Sequence, residues 1–359
     1  MRIALLGTRG MPASYGGFET FAEELSRRLV ARGHQVTVYG RSRHTSRQYL
    51  GVDLQYLPTI RHKYLDTIVH TFLSTLHLLT HRRDVALYCN AANAVFTWMP
   101  RVTGIPVALN VDGLERKRKK WNAVARTWYH LSEWLATWMP TAIVSDAEKI
   151  RFYYRQTYGA ETKFIPYGAD IGKVPSTEVL RQLGLEPGEY FLYVSRLEPE
   201  NNALLVREAF EKLQTQKKLA IIGDAPYAHE YIARVRDTND PRVVMPGAIY
   251  GDGYKQLQSH CFAYIHATEV GGTHPALIEA MGRAALTLYL DTPENREVAG
   301  DVAVPFTHGD LLAKLTFTLN CSEEDRQALR GAAEQRVIQR YSWDYVTDAY
   351  EHLLSSLLA

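Results

Sequence analysis

The chain of 359 residues is long enough for two domains, and 46% hydrophobic with 22% charged residues is an ordinary balance for a soluble globular protein. No apolar run reaches the roughly 18 residues that a membrane-spanning helix needs. The opening "MRIALLG" reads as a strand and not as a leader peptide, and the three scattered cysteines (Cys89, Cys261, Cys321) have no metal-ligand spacing and are expected as buried, reduced thiols. The net charge of +2 is unevenly divided: residues 1–172 hold 23 Lys/Arg and 13 Asp/Glu, residues 173–359 hold 18 and 26. The first half is therefore expected to meet something anionic. No helix-turn-helix, zinc-finger or aromatic RNA-binding pattern accompanies that charge, so nucleic acid is not expected.

In chain order, "RIALLGT" (2–8) is a continuous apolar strand, and "GFETFAEELSRRLVARG" (17–33) has helical periodicity ending at Gly33. "HQVTVYG", "VALYCN" (85–90), "PVALNVD" (106–112) and "TAIVSD" (141–146) read as further strands, with helices near 65–81, 121–138 and 147–158. After a Pro/Gly-rich linker, "FIPYGADIGKVPSTE" (164–178), the pattern restarts. Strands are expected at 190–196, 219–224, 242–248, 261–267 and 286–291, and an amphipathic helix at 341–359. Strand–helix alternation with apolar strands predicts an α/β fold of two doubly wound, Rossmann-like parallel sheets. The expected domains are 1–172, with 342–359 returning to it, and 173–341. Such sheets bind ligands beyond the C-terminal ends of their strands, and two of them facing each other would form a cleft.

Several loops at those strand ends carry ligand chemistry. "EVGGTHPALIEAMG" (269–282) runs from a strand into a helix that opens with Pro at its first position. Gly271, Gly272, Thr273 and His274 offer bare backbone and first-turn amides to an anion or sugar. Glu279, four residues after Pro275, shares its face and suits ribose hydroxyls, while Leu277, Ile278 and Met281 point to the core. Arg196 follows the first strand of the second half and suits phosphate oxygens. Gly223 and Asp224 end another strand, and Tyr250 follows a third, placed for a base. In the first half, "GTRGMPASYGGFETF" (7–21) is not a dinucleotide fingerprint, because its glycines, Gly16 and Gly17 included, lack the G-x-G-x-x-G spacing. "NVDGLERKRKKW" (110–121) ends a strand at Asp112 and then runs through Arg116, Lys117, Arg118, Lys119 and Lys120. Such a run is usually a solvated face. Beside "WNAVARTWYHLSEWLATWMP" and "YLDTIVHTFLSTLHLLTHRR" it also suits an anionic lipid surface.

Together these pieces resemble the GT-B glycosyltransferases, within them retaining family 4, over nearly the whole chain. "GGFETFAEELSRRL" resembles that family's glycine loop and first helix, "IPYGADI" its interdomain motif, "VSRLEPENN" its donor-phosphate motif and "IIGDAPY" its Gly-Asp turn. The motifs are most similar to a bacterial rhamnosyltransferase-like subgroup with a DUF1972-type N-terminal domain, which acts in surface-polysaccharide assembly. Two positions depart from the wider family. Gly271 stands where a glutamate is usual, with Glu269 two residues earlier, and Asn201 stands where a lysine is usual. The resemblance implies a donor-binding second domain and an acceptor-side first domain whose last helix crosses back. It implies transfer of a sugar from a nucleoside-diphosphate sugar, with retention and without metal or cofactor, to a glycan or lipid-diphosphate-linked saccharide. Asp112 and Glu269 would serve catalysis or sugar positioning. Arg116 to Lys120 would meet the acceptor or the inner face of the cytoplasmic membrane. A non-catalytic nucleotide-sugar-binding module and a sugar-nucleotide epimerase are the alternatives.

Overall fold

The computed structural model describes all residues except 14–16, 61, 63–64, 114–122 and 272, together with the side chain of Val124. Gly16, Gly272 and the basic run Arg116–Lys120 therefore lie outside the described residues. The chain divides into two compact units, Met1–Tyr167 with Trp343–Ala359, and Gly168–Ser342.

The first unit contains β1 (Arg2–Leu6), α1 (Gly17–Ala31), β2 (Gln35–Gly40), β3 (Gln48–Tyr49), β4 (Val52–Tyr56), α2 (Asp66–Thr80) and β5 (Val85–Cys89). A 3-10 turn (Ala91–Phe96), α3 (Trp98–Val102), β6 (Val107–Asn110), α4 (Ala123–Ala136), β7 (Ala142–Ser145), α5 (Glu148–Tyr158) and β8 (Lys163–Phe164) follow. Among the described residues the strands form one sheet in the order β3-β4-β2-β1-β5-β6-β7-β8. All pairings are parallel except β3 with β4. The central strands are buried along their length, as a sheet covered on both faces requires. From β1 the chain moves outward to β4, and α2 then carries it back to β5 and on toward β8. Right-handed crossovers place α1 on one face and α2, α3, α4 and α5 on the other. The helix α1 buries Phe21, Ala22, Leu25 and Leu29 at helical spacing.

The second unit contains α6 (Glu178–Gln182), β9 (Tyr190–Val194), a 3-10 turn (Pro199–Asn201), α7 (Ala203–Glu211), β10 (Lys218–Ile222), α8 (His229–Arg236), β11 (Val243–Gly247) and α9 (Gly251–His260). It continues with β12 (Ala263–His266), α10 (Pro275–Gly282), β13 (Thr287–Leu290), α11 (Pro293–Ala299), β14 (Val304–Phe306), α12 (Leu311–Asn320) and α13 (Glu323–Arg340). Its parallel sheet runs β11-β10-β9-β12-β13-β14. Along β9 the side chains alternate between two cores. Phe191 and Tyr193 join Phe210, Ile221, Ile265 and Leu288, whereas Tyr190 and Leu192 join Ile222, Leu257 and Tyr264.

The last helix, α14 (Trp343–Ser356), belongs to the first unit. Its Tyr350 ring lies 5.3 Å from that of Phe21 in α1, and Asn110 Nδ2 donates to the Tyr350 hydroxyl (2.8 Å). Arg32 and His34 pair with Glu351 at 2.6 and 2.7 Å. Three short strands, β3, β8 and β14, and β4, which lies between β3 and β2, were not expected from sequence. The thiols also differ from expectation: Cys89 and Cys261 are buried, but Cys321, at the end of α12, is only partly covered. No described helix is long and apolar enough to cross a membrane.

Candidate functional site

The second sheet reverses direction between β9 and β12. From β9 the chain proceeds to β10 and β11 on one side, then returns to β12 and continues to β13 and β14 on the other. The loops after β9 and β12 therefore diverge at the C-terminal edge, where an open parallel sheet leaves a ligand crevice.

Arg196 sits in the first of these loops, two residues beyond β9. Its guanidinium is about one-third exposed and lies 3.6 Å from Glu198, whose carboxylate is buried and accepts from the Tyr227 hydroxyl (2.5 Å). Asn201, where the lysine of the family motif would stand, is buried and donates through Nδ2 to the Arg196 carbonyl (2.6 Å). It braces the loop where a lysine would add charge. Gly223 follows β10 with φ +150°, and a Cβ there would lie 1.8 Å from the Ser195 carbonyl oxygen. Only glycine lets the β9 and β10 ends approach this closely. Asp224 follows it and accepts the Leu197 N–H through its carbonyl (3.4 Å). These contacts place Arg196, Gly223 and Asp224 side by side.

The β12 loop joins the same assembly. The Glu269 N–H donates to the Glu200 carbonyl (3.0 Å), and Glu269 Oε1 accepts from Asn202 Nδ2 (2.9 Å) and pairs with His308 Nε2 (2.7 Å). Beyond Gly271, Thr273 and His274 are buried at the mouth of α10. Asn295 gives both amide protons to carbonyls, of Thr268 (3.0 Å) and Leu290 (2.9 Å), so its oxygen faces His274. His274 accordingly keeps a proton on Nδ1 and donates it to Asn295 Oδ1 (2.6 Å). The Nε2 edge turns to Gly271, where an added Cβ would lie 2.3 Å away. Gly271 is thus required by the histidine ring and not by its own φ.

Glu279 lies one turn into α10, partly buried, and accepts from the Tyr254 hydroxyl of α9 (2.7 Å). Gln258 in turn donates to Tyr254 (2.7 Å). Burial raises the Glu279 carboxyl above the usual carboxylate range, opposed by the Tyr254 hydroxyl and the Arg283 charge. Leu277, Ile278 and Met281 are buried. Tyr250 precedes α9 and is exposed. Arg196, Gly223, Asp224, Tyr250, Glu269, Gly271, Thr273, His274 and Glu279 therefore all belong to loops or helix starts on one edge of one sheet. A cationic side chain, first-turn amides and a carboxylate at such an edge can hold a phosphorylated, hydroxyl-rich ligand.

Asp112 and Gly17 lie in the first unit. Asp112 follows β6 in the left-handed region, φ +56°, with its N–H bonded to Asn110 Oδ1 (2.9 Å). Few side chains other than Asp and Asn tolerate that conformation. Gly17 opens α1, and its carbonyl accepts from the Tyr167 hydroxyl.

Two family models match, Glycosyltransferase Family 4 over residues 15–173 and Glycosyl transferases group 1 over residues 176–336. The chain carries both domains of a GT-B glycosyltransferase. Among curated relatives, the lipopolysaccharide 1,2-N-acetylglucosaminetransferase of Salmonella typhimurium is 23% identical over 230 residues, 57% of this chain and 59% of that protein. The match thus spans less than two thirds of that relative's length. Among solved structures, Anabaena Alr3699/HepE in complex with UDP and glucose superposes with a TM-score of 0.82 at 16% identity, covering 99% of this chain and 100% of that one. Sucrose-phosphate synthase from Thermosynechococcus elongatus gives 0.79 at 16% identity over 99% and 98%. WaaG, a glycosyltransferase involved in lipopolysaccharide biosynthesis, gives 0.74 at 14% identity over 98% and 99%. At these identities the structures show the GT-B fold alone. Sequence reasoning missed Asn202, Tyr254, Asn295 and His308, which hold its Glu269, Glu279 and His274 in place.

Proposed function

We propose that the chain transfers a sugar from a nucleoside-diphosphate sugar to a glycan or lipid-linked saccharide, with retention of anomeric configuration, in the synthesis of a bacterial surface polysaccharide. The observation that carries the reading is the grouping of Arg196, the Gly223–Asp224 turn, the mouth of α10 and Glu279 at the switch point of the second sheet. The Salmonella relative, an N-acetylglucosaminetransferase, and the UDP and glucose in the Anabaena structure support the same class of reaction. Arg196 and the α10 amides would take the diphosphate and Glu279 the ribose, and Gly16 and Gly17 are also assigned to donor binding. Tyr250 would lie by the base. Gly271, Gly272, Thr273 and His274 would hold the sugar.

In the transfer, the bond from the anomeric carbon to the phosphate oxygen breaks, and a bond from that carbon to the acceptor oxygen forms on the same face. The electron pair leaves with the nucleoside diphosphate, which takes the acceptor proton. Arg196 accelerates this by stabilising charge that grows on the leaving group. Asp112 and Glu269 are assigned to sugar positioning or catalysis. No metal or cofactor is required in this scheme. Rhamnose is the first donor sugar to try, on the sequence motifs, and the basic run Arg116–Lys120 would bring the first unit to an anionic membrane or a lipid diphosphate.

The test is a thermal-shift screen with dTDP, UDP and GDP, followed by incubation of the selected nucleotide's sugars with candidate acceptors. A transferase releases nucleoside diphosphate only when acceptor is present. Isomerisation of the donor sugar would show an epimerase, and binding without turnover a sensor.

A further inference from the structure

A helix packed on a sheet normally turns its apolar stripe inward and its polar stripe to water. In α2 the order is reversed. Its buried positions are His70, Thr71, Ser74, Thr75 and Leu78, four of them polar. Its outward positions include Phe72 and Leu76, with Leu65 just before it, all exposed. The inward hydroxyls are partly accommodated by the fold: Ser74 and Thr75 donate to the carbonyls of His70 and Thr71 (2.8 Å each), and Thr75 also meets the Tyr88 hydroxyl (2.8 Å). The helix thus keeps polar groups in the unit and sends large apolar groups out of it.

The neighbouring elements continue this face. The helices α2 and α3 touch each other, and α2, α3 and α4 all touch the 3-10 turn Ala91–Phe96. The Phe72 ring lies 5.8 Å from Phe96. On α3, Trp98 and Val102 are exposed, Val102 at 71%. On α4, Leu131 and Trp134 are exposed, and Trp138 just beyond stacks edge-on against Trp134 at 5.4 Å. Trp98, Arg101, Val102, Trp138 and Met139 line one open hollow. Five of the chain's six tryptophans lie between residues 98 and 138.

The charge around these groups has one sign. The exposed charged side chains described on α2, α3 and α4 are Arg101 and Arg126. Of the two carboxylates there, Asp66 pairs with Arg41 (2.6 Å), and Glu133 is buried and accepts from Tyr153 (2.8 Å) and Tyr158 (3.1 Å). Tryptophans and aliphatic groups flanked by arginine, with no exposed carboxylate among the described residues of these three helices, match the boundary between anionic headgroups and acyl chains. A second copy of the chain fits less well, because a self-complementary contact would set these arginines against one another with no acid between them.

We propose that the face formed by α2, α3 and α4 is the surface by which the chain lies on an anionic bilayer. Phe72, Leu76, Trp98, Val102, Trp134 and Trp138 enter the headgroup boundary, and Arg101 and Arg126 meet lipid phosphates. This rests on the membrane part of the proposed function and moves its anchor from the basic run to an apolar face.

The experiment uses the full chain with vesicles of phosphatidylcholine alone, of phosphatidylcholine with phosphatidylglycerol, and of the same anionic mixture carrying chain-brominated lipid. The wild type is expected to co-sediment with the anionic vesicles and to lose tryptophan fluorescence to the brominated chains. Phe72→Ser with Val102→Ser, both at exposed positions, is expected to cut partition by about tenfold or more. Its nucleoside-diphosphate affinity in calorimetry should match the wild type. Partition of the double variant equal to wild type would overturn the proposal, as would absence of bromine quenching in vesicle-bound wild type, a readout that needs no variant to fold. Self-association without vesicle binding, abolished in the double variant, would overturn it in favour of a second copy. Loss of nucleotide binding by the wild type, with vesicle binding intact, would sink the transferase reading and leave this face standing.

Discussion

Glu279→Gln separates a ligand role from a structural one. Burial holds the Glu279 carboxyl above its ordinary range, so the folded protein keeps that proton to higher pH than the unfolded chain does. The stability this contributes is present below the unfolded value and is lost as pH rises through the folded one. Glutamine carries no charge to desolvate, and its amide oxygen can still accept from the Tyr254 hydroxyl. At neutral pH the variant should therefore melt at or above the wild-type temperature. Ribose binding should move the other way. A hydrogen bond to a charged group contributes about 1.5–3 kcal/mol and a neutral one about 0.5–1.5 kcal/mol. A ribose bonded once or twice to the carboxylate would then lose roughly 1–3 kcal/mol, or about fivefold to over a hundredfold in affinity. Calorimetry with the preferred nucleoside diphosphate measures this, and inorganic pyrophosphate, which lacks the ribose, should bind both proteins alike. Wild-type nucleotide affinity should fall more steeply than the variant's as pH is lowered through the raised Glu279 value, because protonation of the diphosphate itself weakens both alike. A variant that melts far below wild type yet binds nucleotide normally would refute the ribose assignment and make Glu279 a structural residue.

Arg196→Ala should show the opposite ligand pattern, weakening pyrophosphate and nucleoside diphosphate alike by about tenfold. The fold should survive, since Glu198 keeps its bond from Tyr227, and unchanged affinity would remove Arg196 from the site. Gly223→Ala must push the β10 turn off the Ser195 carbonyl, so it should cost about 2 kcal/mol or more in chemical denaturation; a variant within about 0.5 kcal/mol of wild type would show that the turn relaxes freely. Glu269→Ala should lower turnover far more than donor affinity, whereas Gly271→Ala should displace the His274 ring and weaken donor binding. Steady-state rates within about twofold of wild type for both would contradict the roles given to this loop. A chelator should leave the transfer rate unchanged, and loss of activity restored by a divalent cation would refute the metal-independent scheme.

What the sequence made legible follows from how each signal arises. Strands buried on both faces must be apolar throughout, so Arg2–Leu6, Val85–Cys89 and Tyr190–Val194 stand out as runs. The two- and three-residue strands β3, β8 and β14 hold too few positions to form any pattern. Glycines before a helix, an arginine after a strand and a glutamate among aliphatic residues were readable because each is local. The partners that hold them were not. Asn202 meets Glu269 across 67 residues, His308 meets it across 39, and Asn295 meets His274 across 21. Only the sheet order brings those segments together.

The helix α2 exposes a different limit. Periodicity in "DTIVHTFLSTLHLLT" separates two stripes but carries no information on which one faces the sheet. The usual assignment, apolar inward, assumes that water lies outside. Here His70, Thr71, Ser74 and Thr75 go inward and Phe72 and Leu76 outward. Of the inward hydroxyls, those of Ser74 and Thr75 bond to helix carbonyls and that of Thr75 also meets Tyr88, whereas the buried Thr71 hydroxyl has no hydrogen-bond partner among the described residues, so the unit bears their burial only in part. The outward stripe gains only part of its burial from the fold of this chain, Phe72 packing against Phe96 while much of the stripe stays exposed. Further stabilisation has to come from whatever replaces water over it, and under the proposal above a surface of Trp, Phe, Leu and Val edged by arginine gains most from a negatively charged lipid boundary.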